Sequence, residues 1–201
     1  MAIIDLVSLL IIAMLVNNVL FADGLGTPLV VSANRKNALA MGTLTTLLII
    51  IINSILFFID KYVITVYGLE YIELFICVMV VFGIYTVANL IIKKVFISLY
   101  GMITCNFRIL AGNSAVLGGG FLLLEENLTY LEVLSVAIGT GSGLILTMLF
   151  FVATKRIIDA SPFIPEAFRG TPIQLLSLSI IGLIFMALGD IVMALMGNIN
   201  I

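Results

Sequence analysis

Four stretches of this chain, Asn37 to Phe58, Leu74 to Ile92, Leu134 to Ala153 and Thr171 to Leu195, are apolar over the length a helix needs to cross a bilayer. About twenty such residues span the hydrocarbon core. The wider composition agrees, with 63% of residues hydrophobic and 10% charged, far from a soluble domain. Two further segments, Ile3 to Val31 and Val95 to Leu124, are longer and interrupted by asparagine and glycine. Interruptions at mid-depth suit half-helices or a re-entrant turn, because backbone groups freed inside a bilayer must be satisfied by protein. The expected fold is all-α and integral to the membrane, with six transmembrane elements of which the first and fourth are broken or re-entrant.

The chain also repeats itself. Gly42-Thr43-Leu44, followed by an apolar run to Phe57-Phe58, returns as Gly139-Thr140-Gly141 leading to Phe150-Phe151. Gly83-Ile84 before Ala88 returns as Gly182-Leu183 before Ala187, and Asn17-Asn18-Val19-Leu20 has an echo in Asn113-Ser114-Ala115-Val116-Leu117. Three crossings per copy is an odd number, so the copies enter the bilayer in opposite senses and form two inverted three-helix repeats. We read 1–201 as a single membrane domain, with repeat one over about 1–97 and repeat two over about 98–201.

Basic residues orient it. Arg35, Lys36, Lys93, Lys94, Lys155, Arg156 and Arg169 lie in the first, third and fifth connections, and Lys61 falls in an opposite one. The positive-inside rule puts those odd connections in the cytoplasm, so both termini are expected outside it, in a multi-pass protein of the cell (inner) membrane. Met1 to Asp5 carries no positive charge and no convincing cleavage site follows, so the N-terminal run is expected to stay as the first membrane element. With a net charge of −2, no basic run and no Gly-Lys phosphate loop, nucleic acid is not an expected partner. Histidine is absent, and Cys77 and Cys105 are too few and too far apart for a paired-cysteine metal site. Cys77 reads as packing within the third run.

Leu15-Val16-Asn17-Asn18-Val19-Leu20, Leu25-Gly26 before Pro28, Asn113-Ser114-Ala115-Val116-Leu117-Gly118 and above all Pro165-Glu166-Ala167-Phe168-Arg169-Gly170 carry a resemblance along essentially the whole chain. They resemble the Rnf/Nqr membrane-subunit family, in the manner of the A-type subunit of the Rnf ion-translocating electron transport complex. The resemblance implies a six-helix subunit that pairs with a related one of opposite topology. Together they help move electrons between reduced ferredoxin or nicotinamide and other redox centres while sodium ions or protons cross. It also implies a cysteine in each broken element and a two-iron, two-sulfur cluster held between the subunits. Here the first position is Thr27, or Pro28 after a one-residue shift, and the second is Ser114. Cluster iron is held by thiolate, which neither residue supplies, so no cofactor is expected on this chain.

Candidate midplane residues follow from polarity in the broken elements: Asn17, Asn18, Asp23, Thr27, Arg108, Asn113 and Ser114. An ionisable group inside a membrane is a functional hypothesis by default, so Asp23 and Arg108 are expected either to pair across the pseudo-two-fold or to snorkel into water at opposite faces. The asparagines could satisfy freed backbone groups or help coordinate a cation. Gly24, Gly26, Pro28, Gly112 and Gly118 mark the helix breaks, and Gly139-x-Gly141-x-Gly143 reads as small-residue helix packing. Arg169, before the last helix, could contact a partner or anchor the helix start at lipid headgroups. Asp190, twenty residues into the last apolar run, is expected near the outer interface.

Two functions fit. In one, the chain is a non-catalytic membrane subunit of an Rnf/Nqr-like pump, with flavin and ferredoxin-like subunits as partners. In the other it is a cluster-free transporter, paired with itself or a sister chain, that moves a small solute or cation through its polar centre.

Overall fold

The computed structural model describes residues 3–22, 24–35, 37–95, 114, 116, 118 and 128–197, and the regular elements among them are helical. The first apolar segment is broken, as its composition predicts. Helix α1 (Ile3–Ile11) continues into a π-helical turn, Ile12–Val16, closed by the Asn17 N–H donating to the Ile12 carbonyl at 2.8 Å. The chain restarts as α2 (Val19–Ala22), turns at Gly24 and Gly26, and resumes as α3 (Thr27–Ser32). Gly26 caps α3 at φ 86°, a left-handed conformation that a side chain would strain. Pro28 sits in the first turn of α3, where its missing N–H costs nothing.

Helix α4 (Ala38–Ile59) runs through a second π turn, Asp60–Ile64, into α5 (Thr65–Tyr67), forming one apolar rod of 30 residues. Helices α6 (Glu73–Val95), α7 (Tyr130–Asp159) and α8 (Thr171–Gly197) complete the described set. Three rods, Ala38–Tyr67, Tyr130–Asp159 and Thr171–Leu195, are long and apolar enough to cross a membrane. Each of the four uninterrupted runs is a helix that outgrows its apolar window. In α7 interfacial polar residues explain the excess: it opens on a capping box, with Glu132 Oε2 accepting from the Thr129 N–H at 2.6 Å, and continues through Lys155 and Arg156. Of the second interrupted segment beyond Val95, the described residues are Ser114, Val116 and Gly118.

Packing centres on α7, which carries glycine on two faces. Against the first element it runs parallel. A Cβ at Gly139 would meet the Leu10 carbonyl oxygen at 2.5 Å, and one at Gly143 the Met14 carbonyl oxygen at 2.6 Å. Small residues at four-residue spacing are what let two backbones touch. Against α4 the direction reverses. A Cβ at Gly42 would meet Ile145 Cγ1 at 2.7 Å, one at Gly141 would collide with Thr46, and the Tyr130 ring lies 5.4 Å from Phe57. This antiparallel seam covers about 22 Å of helix.

Helix α8 is antiparallel to the first element, with Gly182 over Phe21 and Gly189 over Val16. Phe185 fills the space between, 5.0 Å from the Phe21 ring and 6.1 Å from Phe150. One apolar cluster joins Leu20, Val30, Met148, Phe151 and Phe185. A second joins Ile49, Ile52, Cys77, Val81, Val116 and Ala137, so Cys77 is a packing residue.

Replacing Gly143 with valine drives a branched side chain into Met14 and Asn18, and overpacking of this kind costs about 1–3 kcal/mol. Gly83, whose Cβ position meets nothing within 4 Å, is the matched control. Thermal unfolding in detergent should show a lowered Tm for Gly143→Val and an unchanged one for Gly83→Val.

Candidate functional site

Asn18 ties the broken element to α7. Its side chain is 2% exposed, and its Nδ2 donates to Thr147 Oγ1 and to the Met14 carbonyl, both at 3.2 Å. Its Oδ1 accepts from the Leu20 N–H at 3.1 Å, while its backbone carbonyl accepts from Phe21 and Ala22 at 2.9 and 2.8 Å. One residue thereby serves the end of the π turn, the start of α2 and the neighbouring helix. The Thr147 hydroxyl donates to the Gly143 carbonyl at 3.0 Å, which leaves its oxygen free to accept from Asn18. The helix rise places this junction about 26 Å along α7 from Tyr130 and about 12 Å short of Lys155, well within the apolar rod Tyr130–Asp159.

Asn17 behaves differently. Its side chain is exposed, and its backbone N–H closes the π turn. Adjacent and alike in sequence, the two asparagines are separated by the break itself, which turns one toward α7 and the other outward.

A second junction joins the two interrupted segments. The Gly26 N–H donates to Ser114 Oγ at 3.0 Å, and Gly118 lies against Leu25 so closely that a Cβ would collide with it. Thr27 Oγ1 donates to the Gly24 carbonyl at 2.9 Å and is half-buried, while Pro28 is exposed. Thr27 also borders a groove of about 330 Å³ between α2, α3 and α8, shared with Phe21, Ser179, Gly182 and Met186. Asp23, Arg108, Gly112, Asn113 and Cys105 lie outside the described residues.

The donor set at this junction does not fit the cluster that the resemblance implies. Thr27 and Ser114 present neutral hydroxyl oxygens already engaged in hydrogen bonds within the chain, whereas cluster iron takes thiolate sulfur.

Arg169 is exposed, and its Nε donates to the Ile164 carbonyl at 3.3 Å, which braces the turn before α8. Two polar contacts have no counterpart in the sequence reading. One is Thr147, whose signal was its place four residues beyond Gly143 on the glycine face. The other is Lys155, whose Nζ donates to the Val31 carbonyl at the end of α3 at 3.4 Å. That bond sets the end of the broken element level with the basic end of α7.

Asn18→Leu strands the Leu20 N–H and the Thr147 oxygen. Leaving such groups unpaired costs about 1–3 kcal/mol, so Tm should fall, while exposed Asn17→Leu should stay within about 0.5 kcal/mol of the parent. Equal losses for the two variants would contradict this account of the break.

Residues 6–197 match the family model described as "Rnf-Nqr subunit, membrane protein". Among curated proteins, the chain is 28% identical over 190 residues to the A-type subunit of the ion-translocating oxidoreductase complex of Syntrophotalea carbinolica, covering 94% of this chain and 98% of that one. Proteins of the same name from Alcanivorax borkumensis, 28% identical over 191 residues, and Vibrio campbellii, 26% identical over 190, match with the same coverage of both chains.

Proposed function

The chain belongs to the Rnf-Nqr family of membrane subunits, and from that premise we propose that it is an integral membrane subunit of a redox-driven, sodium- or proton-translocating electron transport complex, carrying no iron–sulfur cluster of its own. Correspondence with the A-type subunit of ion-translocating oxidoreductase complexes over 94% of this chain carries the reading. Catalysis belongs to partners bearing flavins and ferredoxin-like clusters, and the immediate neighbour is a related six-helix subunit of opposite topology. The subunit lies in the inner membrane with both termini outside the cytoplasm, as its basic residues indicate.

The packing supports the inverted repeat over 1–97 and 98–201. Helices α4 and α7, which carry the repeated glycine motif, meet antiparallel, the first element and α7 run parallel, and α8 opposes both. Six alternating crossings demand that set of directions. The Gly26–Ser114 bond joins the interrupted segments of the two copies, which is where inverted repeats place their central site. Among the described residues there, Asn18, Thr147 and Ser114 act structurally, satisfying freed backbone groups and holding the two halves in register.

The hydroxyls standing where the resemblance implies thiolates favour a second reading, a cluster-free transporter built from this chain and itself or a sister chain. Purification of the tagged chain from native membranes in mild detergent separates the two. The pump reading expects flavin-bearing and ferredoxin-like subunits to co-purify, and a bare self-dimer would replace it with the transporter. Expressed alone, the chain should bind no iron, and stoichiometric iron with cluster absorbance would overturn the cluster-free assignment.

A further inference from the structure

Helix α8 turns one face inward, with Leu178, Ile181, Phe185 and Gly189 buried at spacings of three and four. Asp190 follows Gly189, about 100° further round the helix, and is exposed. Its neighbours one turn away on that side, Met186 and Met193, are 63% and 51% exposed. An otherwise apolar outward stripe therefore carries one carboxylate.

Its depth decides what that means. Counting from Thr171 puts Asp190 about 28 Å along α8, toward the outer interface as the sequence leads one to expect. Packing moves it inward. The Cβ position of Gly189 lies 3.4 Å from Val16 Cα, and Phe185 meets Phe150 one turn earlier. Both contacts set Asp190 level with Ile145, about 15 Å from Lys155 and about 22 Å from Tyr130 along α7. The contacts fix the level directly, and they mean that α8 begins well to the cytoplasmic side of Lys155. Asp190 consequently lies within the hydrocarbon, too deep for its short side chain to reach water as a lysine or arginine does. Among the described residues its carboxylate has no hydrogen-bond or ion-pair partner. Exposed Asn17, the residue after Val16, is at the same level.

An unpaired carboxylate facing lipid is costly, and such groups are ordinarily turned to protein or a water-filled cavity. We propose that the outward stripe of α8, Met186, Asp190 and Met193, is the docking face for a helix of a second, different membrane subunit that presents a hydrogen-bond donor or a cation opposite Asp190. The groove bordered by Thr27 continues this face, since Met186 lines it and lies one turn from Asp190. A second copy of this chain is the wrong occupant: a symmetric contact through the stripe would bring two carboxylates together in a low-dielectric medium. The assignment rests on the reading that the chain works inside a membrane assembly.

A photo-reactive benzophenone amino acid replacing Met193 in native membranes tests it, with Phe75 on exposed α6 as the comparison position. The Met193 position should capture a different integral membrane subunit. Asp190→Leu should lower that yield about tenfold while Asp190→Asn, which can still hydrogen-bond, retains most of it. The Tm of the isolated Asp190→Leu chain should not fall, which separates lost docking from lost folding. Adducts with lipid alone, or with a second copy, overturn the proposal. If Phe75 captures complex subunits and Met193 captures lipid, the assembly stands and this face is wrong. If neither position captures protein and the chain purifies alone, the assembly reading falls and the docking face with it.

Discussion

A helix broken inside hydrocarbon must find protein partners for every backbone group it frees, and here the Asn18 side chain serves two of them, the Leu20 N–H and the Met14 carbonyl. Water is unavailable at that depth, so an unmet N–H or carbonyl carries its full desolvation cost. The Asn18 amide meets that demand in both directions, accepting from Leu20 and donating to Met14 and Thr147. Its reach to Thr147 depends on Gly143, because a Cβ there would stand 3.0 Å from Asn18 Nδ2 and 2.6 Å from the Met14 oxygen. The break and the glycine face of α7 are one device: the glycines admit the backbone of the first element, and the asparagine completes its hydrogen bonds. Removing either part defeats the other.

The junction between Gly26 and Ser114 applies the same logic to the two interrupted segments. A serine hydroxyl can accept from a backbone N–H while remaining neutral, so the contact needs no counter-charge. A thiolate in that place would bring negative charge to the membrane interior, tolerable when a metal compensates it and expensive otherwise. Hydroxyls at Thr27 and Ser114 instead take part in neutral hydrogen bonds within the chain.

Much of this was legible in the residues. Hydropathy located four uninterrupted helices, because a run of apolar side chains long enough to span a bilayer leaves the backbone little alternative to a helix. Asn17-Asn18 and the glycines at 24 and 26 located the breaks of the first element, and the Gly139 to Gly143 spacing announced close packing. Helix ends were not legible, since Thr129, Glu132 and Lys155 extend α7 through hydrogen bonds and charge instead of hydrophobicity. Neither was the division of labour between Asn17 and Asn18, which depends on a π turn that shifts the rotation of the chain by part of a residue. The axial offset of α8 escaped for a related reason. Counting along one helix assumes that helices start level, whereas contacts at Gly189 and Phe185 show α8 displaced along its axis.

Asn18 and Asp190 are polar residues at neighbouring depths, on opposite sides of the α8 contact, and they differ in who can satisfy them. Asn18 is neutral, buried and saturated by bonds within the chain, so its contribution is complete once the chain has folded. Asp190 is exposed on an apolar stripe, and no described residue of the same chain reaches it. Among the described residues, folding therefore satisfies Asn18 and leaves Asp190 without a partner. In a bilayer, where apolar surface gives helices little reason to prefer one another over lipid, a single ionisable group at mid-depth is among the few features able to favour one neighbour strongly. Specific assembly of this chain is accordingly expected to be governed by the periphery of α8, while the interrupted segments govern its internal register.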